Sequence, residues 1–168
     1  MNISRDWLSS FVVGCALLAG ATVVVSAQKY GVTVNAERNV DFAKFKTYAW
    51  TPGLPSPDKI VDGHIVAAVD RELGGLGLTK ASGNPDVLVT YYSTRRVDVD
   101  VNAKPDATGK RPERAVGTLI VGLVEPVKRK QVLRLRTDKP VDLQTDAGAA
   151  IDAAVAELFT KYPTLTKK

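Results

Sequence analysis

The chain has 168 residues and a net charge of +5, with 45% hydrophobic and 24% charged residues. These values are typical of one globular domain, and they exclude a mainly disordered or fibrous chain. With one histidine and one cysteine, the chain also lacks the ligands for an ordinary zinc site.

The first 27 residues differ from the rest of the chain. A short polar segment that contains Arg5 precedes an apolar run over residues 7–25, which ends in small residues at Ala27. This pattern predicts an exported protein whose signal peptide, residues 1–27, is cleaved between Ala27 and Gln28. A retained membrane anchor is one alternative, because the run is long enough to span a bilayer. Lipidation of Cys15 is another, although the apolar residues continue well beyond it.

Residues 28–168 are therefore predicted to form a single domain in the periplasm or outer envelope. Residues 41–50 are unusually aromatic and predict a short turn followed by a strand. Apolar residues at three- and four-residue steps predict helices over residues 58–76 and 145–161, with Ile60 on the buried face of the first and Asp62 and Asp70 on its opposite face. The prolines between residues 52 and 57 predict a segment without regular structure before that helix. Alternating or continuous apolar runs predict the remaining strands, at residues 30–35, 87–97, 117–124 and 132–137. In the last of these, Leu133 and Leu135 are expected to face inward, and Pro140 is expected to break the strand.

This order of elements predicts the α+β fold class, a two-layer sandwich. Short connections favour a mostly antiparallel sheet, and the single apolar stripe of each helix favours packing of both helices on one face. The other face of the sheet is then expected to carry Thr90, Tyr92, Arg134 and Arg136.

Four segments of the sequence resemble a known bacterial family. They are residues 41–50, residues 68–78, residues 85–89, and residues 117–121 together with the closing helix at 153–163. In these segments the chain is similar to the domain of unknown function 4136 family, whose members are secreted or lipid-anchored envelope proteins. The resemblance implies the fold and the cell envelope, and it implies no activity.

The chain departs from this family at two positions of the predicted sheet. Many members have an aspartate where this chain has Gly122, and a tryptophan where it has Leu133. If those side chains form a shared site, this protein lacks it. Many members also place a lipidated cysteine at the end of the signal, whereas Cys15 comes much earlier.

No set of residues indicates catalysis. His64, the only histidine, is expected to be solvated on the first helix, and no nucleophile motif accompanies it. Asp98 and Asp100 suggest a weak calcium site, but a solvated strand end explains them better. We therefore expect no catalytic residues, no bound metal and no cofactor.

The function predicted from the sequence is that of a non-enzymatic envelope protein that binds or scaffolds. The alternative is a lipid- or glycan-binding module that uses Arg134, Arg136 and Tyr92 as an anionic-ligand surface, with an anionic envelope polymer or lipid as partner. Nucleic acid is not an expected ligand of an exported protein. The position of Trp50 separates a structural role for residues 41–50 from a binding role.

Overall fold

A computed structural model describes residues 31–141 and 146–163. The predicted signal peptide, with Cys15, Ala27 and Gln28, lies outside the described residues, so the prediction of cleavage stands as a prediction. In the described part of the chain, no helix is long and apolar enough to cross a membrane.

The described chain folds into six strands and two α-helices, the predicted α+β architecture. In chain order these are β1 (Val32–Ala36), a 3-10 turn (Phe42–Lys44), β2 (Thr47–Trp50), α1 (Lys59–Gly75), β3 (Thr79–Lys80), β4 (Val87–Val99), β5 (Glu113–Val124), β6 (Gln131–Pro140) and α2 (Ala147–Phe159). The sheet order is β1-β6-β5-β4-β2-β3. The two-residue strand β3 was not predicted, because its polar residues carry no apolar pattern.

The sheet is mostly antiparallel, as predicted, with one parallel part. Strands β4, β5 and β6 form an antiparallel meander, and β1 pairs antiparallel with β6. Strand β2 runs parallel to both β3 and β4. The parallel pairing follows from the chain path, because α1 carries the chain back between β2 and β4 and so acts as a crossover helix.

Both helices lie on one face of the sheet, and local signals set their ends. The side chain of Asp58 accepts hydrogen bonds from the amides of Ile60 and Val61 at the start of α1. Gly77, with a φ of 84°, follows the end of α1 in the left-handed conformation. The side chain of Asp146 caps α2 in the same manner as Asp58 caps α1.

One core lies between the helices and the sheet. Its residues come from α1 (Ile65, Ala68, Val69, Leu73), from α2 (Val155, Leu158, Phe159) and from alternate positions of β4, β5 and β6 (Val87, Val89, Tyr91, Leu119, Val121, Leu123, Leu133, Leu135). Ile60, which periodicity placed on the buried face of α1, is instead 72% exposed. It belongs to the first turn of the helix, which extends past the core.

The proline-rich segment after β2 continues along β4, although the sequence suggested that it carries no regular pairing. The amide of Thr51 donates to the carbonyl of Val89, and the amide of Leu54 donates to that of Tyr91. Leu54 in turn accepts from the amide of Ser93. Prolines remove only their own N–H groups, so the residues between them still bond to the edge of β4. We call residues 51–56 the strap.

Candidate functional site

The side of the sheet away from the helices, here called the open face, holds the three residues predicted to bind an anion. Tyr92, Ile120 and Arg136 lie opposite one another across β4, β5 and β6. Arg134 lies in the neighbouring row, opposite Gly122 on β5 and Asn35 on β1. The alternation of side chains along each strand therefore brings Tyr92, Arg134 and Arg136 to one surface.

The charge of Arg136 is compensated by Asp138. The Nε of Arg136 donates to Asp138 Oδ2 at 2.9 Å, and Arg96 Nη1 donates to Asp138 Oδ1 at 2.9 Å. Thr118 Oγ1 donates to the same Oδ1 at 2.6 Å. Arg96 also pairs with Asp98, at 2.8 Å. Two arginines and two aspartates thus form a network without net charge on the open face.

Asp138 is the centre of this network and is only 8% exposed. Hydrogen bonds from Arg136 hold the pKa of Asp138 far below its usual range, and those from Arg96 and Thr118 act in the same direction, against the opposing effect of burial. The carboxylate therefore stays ionised and paired at neutral pH. Arg136 contributes to the structure of the sheet rather than offering a free cation.

Arg134 is in a different situation. It is half-buried, and no hydrogen bond or ion pair links its guanidinium to any described residue. It lines an open surface cleft of about 410 Å³ over the paired strands β1 and β6, together with Asn35 and Gln131. The one carboxylate in the cleft, that of Glu37, is paired with Lys130 at 2.8 Å. Within the part of the chain that the structure describes, the cleft therefore presents one uncompensated positive charge beside two neutral hydrogen-bonding groups.

Gly122 explains why Arg134 has no carboxylate beside it. A Cβ at position 122 would lie 2.6 Å from Nε2 of Gln131 and 3.2 Å from Cγ2 of Thr90. Gln131 thus occupies the space that a larger residue would need. Since Gly122 and Arg134 are directly opposite in the sheet, an aspartate at position 122 would place its charge next to the guanidinium. With a glycine at position 122, β5 extends no carboxylate toward the guanidinium from this position.

The aromatic stretch at residues 41–50 lies on the helix side and is structural. Tyr48 OH donates to Asp70 Oδ1 at 2.7 Å, and Trp50 Nε1 donates to the same oxygen at 2.8 Å. Burial and the hydrogen bond to Asp70 raise the pKa of Tyr48 well above its usual value. Trp50 also meets the ring of Tyr91 edge to face. It is half-buried against α1, away from Tyr92 and Arg134 on the open face.

The sequence placed Asp62 and Asp70 on the solvent side of α1, and the structure corrects this. Both carboxylates turn toward the sheet, where Asp70 binds Tyr48 and Trp50 and Asp62 accepts from Tyr91 OH. Burial is the main cause that raises the pKa of Tyr91 to about 12, and its bond to Asp62 adds to it. Helical periodicity could not reveal these contacts, because the partners come from distant strands.

A further carboxylate joins two of the segments that carry the family resemblance. Oδ2 of Asp86 accepts from the amides of Lys46 and Thr47, each at 2.8 Å, and from Thr47 Oγ1 at 3.0 Å. These bonds lower the pKa of Asp86, the largest contribution coming from the Lys46 amide. They fix the start of β2 against the start of β4.

The remaining candidates show no catalytic arrangement. His64 is exposed, and its ring edge faces Gly148 of α2. Asp98 pairs with Arg96, while Asp100 accepts from the amides of Asn102 and Ala103 in a turn. Among the described residues there is no cluster of three or more His, Cys, Asp or Glu side chains that suits a metal ion.

Comparison with known families agrees with these observations. The family model described as "Domain of unknown function (DUF4136)" matches residues 32–164. The chain belongs to the DUF4136 family. A search of curated proteins found no match. The DUF4136 match begins at the first residue of β1 and extends beyond α2, so it includes both layers of the fold.

Several solved structures align with this DUF4136 chain at low sequence identity. A PDZ domain protein from Parabacteroides distasonis aligns with a TM-score of 0.55 and 14% identity, over 83% of this chain and 36% of that one. This chain thus spans about a third of that protein. The PelC dodecamer from Paraburkholderia phytofirmans aligns with a TM-score of 0.53 and 8% identity, over 78% of this chain and 95% of that one. A DUF4136 protein from Bacteroides thetaiotaomicron gives a TM-score of 0.49 and 14% identity, over 83% and 98%.

Proposed function

We propose that this DUF4136 protein is a non-enzymatic binding or scaffolding protein of the bacterial cell envelope. The observation that carries the proposal is that several of its carboxylates accept hydrogen bonds that hold the fold together. Asp62, Asp70, Asp86 and Asp138 each hold elements of the fold together. Groups committed in this way are not placed to act as a general acid or base. The N-terminal sequence supports the envelope location.

A protein of similar fold forms a large assembly, which supports a scaffolding role. PelC, which shares the fold at low identity, forms a dodecamer. A rigid sheet with one solvated face and a long hairpin suits such a role, because it presents a wide surface without needing an enclosed pocket.

The proposal is tested on the protein as the cell makes it. Full-length chain is produced in a Gram-negative host, the cells are fractionated, and the mature N-terminus is read by mass spectrometry. We expect envelope localisation and a chain that begins at Gln28. Purified protein is then assayed against a panel of envelope metabolites. Cytoplasmic localisation would overturn the location, and turnover that a point variant abolishes without unfolding would overturn the non-enzymatic role.

Arg134 supports a second candidate function, the binding of an anionic group of a lipid or an acidic glycan. The guanidinium is uncompensated among the described residues and lies in the cleft with Asn35 and Gln131. Guanidinium and amide groups together bind phosphate or carboxylate oxygens through charge-assisted hydrogen bonds. Arg136, which the sequence suggested as an equal contributor, is expected to contribute little because Asp138 already neutralises it.

Vesicle binding tests this second function and its source. We expect sedimentation with phosphatidylglycerol vesicles at low salt and none with phosphatidylcholine vesicles, or alternatively retention by alginate. Arg134→Ala should abolish the binding. Arg71→Ala is the matched control, since it removes the same charge from the helix side, where Arg71 pairs with Asp152 at 3.1 Å. Equal effects of the two variants would mean that net charge alone drives binding, and would end the idea of a site.

A further inference from the structure

Among residues 31–141 and 146–163, nothing pairs with the outer edge of β4 beyond the strap. Val89, Tyr91 and Ser93 direct their backbone groups to this edge and bond to the strap, and the last of these bonds joins the amide of Ser93 to Leu54. Strand β4 keeps one continuous register with β5 up to Val99. Arg95, Val97 and Val99 therefore direct their N–H and C=O groups outward as well, because these directions alternate along a strand. In the described chain no strand lies beside them.

The side chains of this edge are also unusual. Val97 is 57% exposed and Val99 is 49% exposed, on the side of the sheet that the helices cover elsewhere. Arg96 and Asp98 alternate with them on the open face, where they pair with each other. An exposed edge with apolar residues is a template for another strand, and proteins usually block or use it. No proline lies in residues 86–104 to block it.

We propose that this edge pairs with the same edge of a second copy of the chain. The two β4 strands would run antiparallel about a two-fold axis at Val97, which places Val97 opposite Val97 of the second copy. In that register Arg96 lies opposite Asp98 of the second copy, and Asp98 opposite Arg96 of the second copy. In this register the outward N–H and C=O groups of residues 95, 97 and 99 face those of residues 99, 97 and 95 of the second copy, which is the arrangement that an antiparallel ladder needs.

The order of charges favours this occupant and this direction. Arg96, Val97 and Asp98 follow one another as a positive, an apolar and a negative residue. When two copies of this strand pair antiparallel about Val97, each positive residue faces a negative residue of the other copy, so an isologous interface contains two opposite-charge pairs. Parallel pairing in register would set Arg96 beside Arg96 and Asp98 beside Asp98, which is unfavourable. Arg96 keeps its hydrogen bonds to Asp98, Thr118 and Asp138 in this arrangement, and the charges of the second copy act on it across the interface.

The N-terminal segment that would remain after cleavage is too short to cover the edge. The described chain begins next to β1, and β6 and β5 lie between β1 and β4. With strands about 4.8 Å apart, β1 lies roughly 14 Å from β4. Residues 28–30, which would remain after cleavage at Ala27, reach at most about 11 Å when fully extended. A second copy meets no such limit.

Cysteine cross-linking tests both the pairing and its register. The full-length chain with Cys15→Ala serves as the background, since Cys15 is the only native cysteine. Val97→Cys should oxidise to a disulfide-linked dimer, because Cα atoms of a hydrogen-bonded antiparallel pair lie about 5.5 Å apart, within disulfide range. Val99→Cys is the matched control. It is similarly exposed on the same face, but its two copies would lie roughly 13 Å apart.

We expect Val97→Cys to form the disulfide-linked dimer at least about tenfold faster than Val99→Cys, because two thiols held side by side react faster than thiols that meet only by random collision. Sedimentation of the Cys15→Ala chain should show dimer whose fraction rises with concentration. Val97→Lys should lower that fraction while circular dichroism stays unchanged. Equal cross-linking of the two cysteine variants would refute the proposal. A chain that remains monomeric at every concentration would also refute it, and this is the result expected if the chain's own N-terminal segment covers the edge.

Discussion

Asp70 is the residue on which the attachment of α1 to β2 most depends, and its replacement gives a quantitative test. Asp70→Ala removes the acceptor of two hydrogen bonds, from Tyr48 OH and from Trp50 Nε1. Tyr48 is 3% exposed, so water cannot readily replace the lost partner. Lys80 also loses its ion pair with Asp70, which is 3.2 Å long.

The magnitude follows from the state of each donor. A hydrogen bond to a charged group contributes about 1.5–3 kcal/mol, and the upper part of this range applies where the orphaned group is buried, as for Tyr48. Trp50 is half-buried and should lose less. The exposed Lys80 pair adds about 0–1 kcal/mol. We expect the free energy of unfolding to fall by about 3–4 kcal/mol, and the melting temperature by roughly 10–15 °C for a domain of this size.

Urea unfolding followed by far-ultraviolet circular dichroism measures this change without relying on Trp50 fluorescence. Lys80→Ala is the control, because it removes the ion pair and leaves both hydrogen bonds of Asp70 in place. Asp70→Asn should fall between the two, since its amide oxygen can still accept. If Asp70→Ala destabilises the protein no more than Lys80→Ala does, the assignment of Asp70 as a structural acceptor is wrong.

Four further predictions concern pH and glycines. The hydrogen-bond partners of Asp138 lower its pKa in the folded protein below the ordinary 3.8, so the stabilisation that it contributes should be complete above about pH 5 and be lost as the pH falls further. Urea midpoints measured between neutral and acidic pH should therefore depend less on pH for Asp138→Asn than for the unmodified protein. An equal pH dependence of the two proteins would contradict the network. Gly53→Ala would bring a Cβ to 2.1 Å from the carbonyl oxygen of Tyr91 and should destabilise by about 1–3 kcal/mol in the same assay. Gly63→Ala, in open space within α1, should stabilise by up to about 1 kcal/mol. Gly77→Ala, at a φ of 84°, should destabilise by about 1–2 kcal/mol. The reverse order of these last two would refute the reading of how α1 ends.

The elements that the sequence predicted well are those with local signals. Asp58 at the start of α1 and Gly77 after its end are recognisable without any knowledge of the rest of the chain. The alternation along β4 and β6 likewise assigned Leu133 and Leu135 to the core and Arg134 and Arg136 to the open face. These signals depend only on the geometry of one helix or one strand.

The contacts that the sequence missed join residues far apart in the chain. Asp70 looked like a solvent-facing residue because helical periodicity does not identify its acceptor role toward Tyr48. Strand β6 runs to Pro140, beyond the predicted break, because a proline is tolerated at a strand end. The pairing of Arg136 with Asp138 did have a signal, since residues two apart on a strand share a face. It was hidden because the strand was predicted to end at residue 137.

The pairing of β1 with β6 has a consequence for how the chain folds. Val32 lies opposite Thr137, so β1 pairs with a strand that lies near the other end of the described chain. The β4–β5–β6 meander closes through consecutive connections, whereas β1 must close a loop that contains most of the domain. β1 is made first, but its partner β6 follows only after strands β2 to β5. Until β1 pairs, the edge of β6 that faces away from β5 is open, which gives the sheet a further edge at which another chain can pair wrongly.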